Sequence, residues 1–228
     1  MDYQIFDLQK KQRNLILITG MVLSVLLPFG LGIGIRYLNI GYFDKMVFFE
    51  FTKWGTVVFL FFYAYKVERQ PLLIWKGGDS SIGFILLSVV VLFVLYVIIS
   101  VVSSIPASFG YHESNDVMRQ ITVLLKGHPV FIFFVSITAG VTEELIFRGY
   151  LLTRLSTFFK EPHIPVIVSS AIFSGMHYKY HSLGEFIFTF LLGVVFSFYY
   201  LKYRNIHALI LIHFFIDFIF LTSAQHFY

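Results

Sequence analysis

Two adjacent glutamates, Glu143 and Glu144, stand inside an otherwise apolar stretch, and Arg148 follows them within it. A charged side chain near the centre of a bilayer costs roughly 2.5–3.5 kcal/mol on translocon-insertion scales, so such residues are retained for chemistry, ion conduction or holding helices together. Two later apolar stretches carry polar residues of their own, His177 four after Phe173, and His213 with Asp217. Carboxylates and imidazoles together are the groups that take a proton from a nucleophile and return it to a leaving group.

Spacing separates the roles of these residues. Glu144 and Arg148 are four apart with the acid first, the favourable order for a pair on one helix face. Taken alone, that pair is most simply structural. Glu143 points about 100° away from its neighbour. Its own i+4 position is Phe147, so it reads as unpaired and poised to accept a proton. His213 and Asp217 are also four apart, which lets Asp217 hold the imidazole in one tautomer. Phe173 and His177 share a face, where the ring can wall the imidazole. Each pair on its own is also readable as interhelical packing or glue; their combination favours catalysis. His181, beside the fifth apolar segment, is the further histidine to watch.

The elements that must position these groups are membrane helices. The 228 residues are 57% hydrophobic and only 13% charged, about half the charge of a soluble domain. Apolar segments run over 15–38, 46–67, 82–105, 129–152, 164–178, 186–201 and 206–223. Spanning the hydrocarbon takes about 20 helical residues, so the spacing predicts an all-α polytopic bundle of about seven transmembrane helices, with the fifth and sixth short. Residues 1–114 form the N-terminal transmembrane helices and 115–228 the catalytic helical core. Val117, Ile121, Leu124 and Leu125 suggest either a connector or an interfacial amphipathic helix between them. Glu50 and Lys53 read as an interfacial pair near a span end. The absence of cysteine excludes thiolate nucleophiles, disulfides and Cys-ligated metals within this chain. Basic residues, Arg154 among them, are scattered through loops rather than clustered, which argues against nucleic acid and, by the positive-inside bias, places the N-terminus in the cytoplasm.

At these residues the chain resembles the CPBP family of intramembrane proteases, also called the Abi or CAAX amino-terminal protease family. The resemblance rests on an EExxxR motif with an F-R-G continuation (Glu143, Glu144, Phe147, Arg148, Gly149), then FxxxH (Phe173 to His177), then HxxxD (His213 to Asp217). A looser FxxG match lies at Phe190 to Gly193, and the whole covers roughly residues 115–225. The resemblance implies an intramembrane endopeptidase in a bacterial cell membrane, acting on a membrane-associated peptide or protein. In that scheme Glu143, helped by His177, activates water, while His213, oriented by Asp217, stabilises the oxyanion. Glu144, Arg148 and Phe173 support them. No metal cofactor is expected; a divalent ion such as Zn²⁺, were one bound, would take Glu143, His177, His213 and Asp217. The alternative is a non-catalytic bacteriocin-immunity or scaffold membrane protein of the same fold.

Overall fold

A chain this apolar satisfies its backbone polar groups internally, which in lipid leaves helices as the natural solution for its spans. The computed structural model describes residues 2–75, 78–111, 116–178 and 182–226, with side chains from residue 8 onward, and contains only helices and loops among them. Helix α1 runs over Asp2–Arg36 and α2 over Tyr42–Tyr63, continuing as a π-helical turn, Ala64–Glu68. Helix α3 covers Ile82–Ser103, followed by the short α4, Ile105–Ser108, and by α5, Asp116–Leu125. Helix α6 starts with a proline at its first position, Pro129–Glu144, and passes through a π-helical stretch, Leu145–Leu152, into α7, Thr153–Leu155. Helices α8 (His163–Met176), α9 (Leu183–Tyr203) and α10 (Ile206–Ala224) complete the bundle.

Six of these helices are long and apolar enough to cross a membrane, and the 14-residue α8 is a shorter apolar helix. The seven predicted segments therefore correspond to observed helices. The sixth is not short: Ser182 caps it early by accepting from the Glu185 amide at 3.0 Å, giving α9 21 residues. The connector ahead of α6 is a ten-residue helix with Thr122 and Leu125 buried. Arg154, expected among the loop cations, is instead fully buried. Its Nη2 lies 2.8 Å from Glu68 Oε2 and donates to the Pro71 carbonyl at 2.9 Å, while Tyr150 donates to Glu68 Oε1. This cluster ties the end of α2 to α7.

α6 packs closely along α10, and α8 along α9, with α1 and α2 on the far side of α6 and α3 covering α9 and α10. The α6–α10 crossing depends on Gly140, where a Cβ would lie 2.9 Å from the Ile210 carbonyl oxygen and 3.0 Å from the Phe214 amide nitrogen. Both are backbone atoms and cannot swing aside. Gly140→Leu is expected to lower stability by about 1–3 kcal/mol, read as a lower melting temperature in detergent. A melting temperature equal to the wild type would show that the helices do not meet there.

Candidate active site

Adjacent positions on α6 aim their side chains in different directions, and this puts Glu143 and Glu144 on different partners. Glu144 is fully buried and turns toward the later helices. Its Oε1 accepts from Arg148 Nη1 at 3.0 Å and lies 2.8 Å from His213 Nδ1. One carboxylate oxygen thus joins α6, the π-helical stretch and α10. A π-helical insertion of this kind is often found at functional sites, and here it begins one residue after the paired glutamates.

The Arg148 guanidinium sits 4.6 Å from the Phe173 ring centre and 5.4 Å from that of Phe196. Those faces offset part of the cost of burying a cation, and they matter because Arg148 Nε and Nη2 have no hydrogen-bond partner among the described residues. Phe173 also stands edge-on to Phe147, with ring centres 4.9 Å apart, so it walls the arginine as well as the histidine.

His177 lies immediately beyond the last turn of α8, as its C-terminal cap. Its ring is 4.8 Å from Phe173, and Nδ1 lies 2.9 Å from the Phe173 carbonyl oxygen. A carbonyl can only accept, so Nδ1 carries the proton and Nε2 is the nitrogen available for proton transfer in the neutral ring.

His213 is likewise held at Nδ1, but by Glu144 rather than by Asp217 as the spacing suggests. Asp217 Oδ2 is instead 3.8 Å from the other nitrogen, Nε2, and Glu143 Oε2 is 4.0 Å from that same atom. The i,i+4 relation correctly puts His213 and Asp217 on one face of α10. It carries no information about Glu144, which approaches from another helix.

Glu143 is not unpaired. Lys53, from α2, places Nζ 3.9 Å from Glu143 Oε1 and 2.7 Å from Glu50 Oε2. Glu50 and Lys53 are both buried within the bundle rather than interfacial. Spacing along α6 shows no partner for Glu143, because a lysine 90 residues away in the chain has no local signature. Phe196 was also missed, its only sequence signal being the nearby Phe190–Gly193 match. Gly193 itself lets α9 approach α8, with Ser170 Cβ 3.0 Å from where a Cβ would stand. His181 lies outside the described residues.

The structure therefore brings Glu143, Glu144, Arg148, His213 and Asp217 into one cluster, adds Lys53 and Glu50, and sets Phe173 with His177 against it through the Arg148 and His213 rings and charges. Glu143 and Asp217 are the partly open carboxylates, their side chains 20% and 31% exposed against 0% for Glu144. An accessible carboxylate beside an imidazole nitrogen can activate a water, whereas a sealed one can only orient its neighbours.

Residues 126–219 match a family model described as type II CAAX prenyl endopeptidase Rce1-like. The membrane-embedded CAAX protease MroQ of Staphylococcus aureus (strain USA300) is 29% identical over 128 residues, 53% of this chain and 51% of that protein. The chain thus spans about half the length of the curated relative it matches. No solved structure matches it.

Proposed function

We propose that this chain, whose residues 126–219 match the Rce1-like family model, is a CPBP/CAAX-type membrane protease that hydrolyses peptide bonds within the bilayer with Glu143 as the proton acceptor. The observation that carries the reading is the placement of Glu143 Oε2 4.0 Å from His213 Nε2. One water about 2.8 Å from each atom bridges such a gap at an angle near 90°. Glu143 takes the proton of that water as its oxygen attacks the scissile carbonyl, then passes it through His177 Nε2 to the amine nitrogen as the C–N bond breaks, which returns Glu143 to the carboxylate and His177 to the neutral ring. His213 Nε2, when protonated, donates to the carbonyl oxygen as negative charge develops there.

Glu144 fixes the His213 ring through Nδ1, and Arg148 keeps Glu144 in place. Asp217 Oδ2 stands 3.8 Å from Nε2, the nitrogen that faces the oxyanion in this scheme. The substrate is a membrane-associated peptide or membrane protein of a bacterial cell, and the N-terminus faces the cytoplasm. Comparing the peptides of membranes carrying wild-type protein with those carrying Glu143→Gln tests the reading. Fragments present in the first and missing in the second support it, and identical sets refute it.

The mechanism runs without a metal. Glu143, His177, His213 and Asp217 are the residues that would hold a divalent ion, which would polarise the carbonyl or the water. Two of these carboxylate–imidazole separations, 3.8 and 4.0 Å, exceed the roughly 3.4 Å between tetrahedral ligands about 2.1 Å from zinc. The Lys53 and Arg148 cations already stand against the acids of the cluster. Elemental analysis of protein purified without chelator is expected to find far less than one equivalent of zinc per chain. A stoichiometric ion lost in His213→Ala would replace this mechanism with a metal-dependent one.

A further inference from the structure

We propose that the cavity between the start of α1 and the end of α2 is a site for the phosphate headgroup of an anionic phospholipid. The inference stands apart from the protease reading, because no residue of the catalytic cluster lines this cavity. Its volume is about 310 Å³, at the lower end of the range of small-molecule sites. Gln12 and Arg13 of α1 line it together with Arg69 and Gln70, which follow the π-helical turn of α2. Ile16 and Val67 supply apolar lining beside them.

Position along the helices sets the kind of ligand. Arg13 stands two residues before the first apolar segment, and Arg69 two residues after the second. Both therefore lie at headgroup depth, at the same end of the α1–α2 hairpin. The anion present in quantity at that depth is the lipid phosphate. Exposed apolar side chains further along the two helices, Ile18 and Phe62 among them, leave a surface for the acyl chains of the same lipid.

The cavity is positive even though Glu68 belongs to its lining. That carboxylate is committed elsewhere: Oε2 lies 2.8 Å from Arg154 Nη2, Tyr150 donates to Oε1, and the side chain is fully buried. Among the described residues neither Arg13 nor Arg69 has an ion-pair partner. Two free guanidinium forks on one cavity suit a phosphodiester, whose oxygens accept paired N–H bonds. The Gln12 and Gln70 amides can donate to the remaining headgroup oxygens. The walls are set without a ligand. Tyr63 donates to the Ile16 carbonyl at 2.8 Å, and a Cβ at Gly20 would lie 2.7 Å from the Tyr63 ring, so α1 and α2 meet closely beside the cavity.

Phosphatidylglycerol is titrated into the purified full chain in an uncharged detergent, and the lipid-bound fraction is read by native mass spectrometry. Arg13→Gln/Arg69→Gln is expected to bind it at least about tenfold more weakly than the wild type. Lys10→Gln/Lys11→Gln removes the same charge from neighbouring residues outside the lining, and is expected to stay within about twofold of the wild type. Gln12→Glu sets a carboxylate in the cavity and is also expected to weaken binding; with both arginines kept, it decides the matter if the arginine pair is needed for folding. Equal losses in the arginine and lysine pairs would mean diffuse surface charge. Phosphatidylcholine bound as tightly as phosphatidylglycerol would mean that no anion is recognised. Inorganic phosphate displacing the lipid at equal concentration would assign the cavity to a soluble anion. Each of these results overturns the proposal, as does wild-type affinity in Gln12→Glu.

Discussion

Glu143→Gln is expected to slow cleavage by about 100- to 10,000-fold, the contribution of a positioned general base, while changing stability by no more than about 1 kcal/mol. The amide keeps the shape of the carboxyl but cannot take the proton of an attacking water. The fold is spared because the Glu143 side chain is partly open, and Lys53 keeps Glu50 as a partner at 2.7 Å. The rate is measured with purified protein in liposomes on the precursor of a fragment missing from Glu143→Gln membranes, and stability by thermal unfolding in detergent. Cleavage at the wild-type rate refutes the assignment of Glu143. A variant that fails to fold would make it a structural residue.

Arg148→Met is expected to have the opposite signature, a large loss of stability together with loss of activity. Arg148 and Glu144 are 1% and 0% exposed and 3.0 Å apart. Removing one partner of a buried pair leaves an uncompensated charge and costs about 3–5 kcal/mol. The double variant Glu144→Leu/Arg148→Met removes both charges and regains much of that stability. It stays inactive, because His213 Nδ1 has lost the acceptor that sets its ring. A single variant that melts at the wild-type temperature would show that the pair contributes nothing net. An active double variant would show that Glu144 does not orient His213.

What could be read in the chain and what could not divide along one physical line. Contacts within a helix follow from spacing. Glu144 with Arg148, His213 with Asp217 and Phe173 with His177 are each four residues apart, and each pair is together in the structure. Helix number and type followed from the apolar runs, because a bilayer demands about 20 helical residues per span. Contacts between helices depend on how neighbours slide and rotate against one another, which no local pattern records.

For that reason the sequence pattern points Lys53 to an interface, Arg154 to a loop and the His213 ring to Asp217, whereas the structure buries both cations and holds His213 Nδ1 against Glu144. The π-helical stretch after Glu144 was also invisible. Leu145, Ile146 and Phe147 are ordinary helix residues, and nothing among them announces a change of winding. By sequence the N-terminal helices are separable from those that carry Glu143, His177 and His213. Yet α2 delivers Lys53 and Glu50 to the cluster, so the site is built from both halves of the chain.

Heavy-oxygen water offers the most direct test of hydrolysis at this centre. Purified wild-type protein in liposomes is incubated, in water enriched in heavy oxygen, with the precursor of a fragment that vanishes from Glu143→Gln membranes. The new carboxyl terminus is then weighed. Activation of water by Glu143 predicts one solvent oxygen in that carboxylate from the wild type and no product from Glu143→Gln. Intact precursor after incubation with the wild-type protein, or equal labelled product from both proteins, would contradict it.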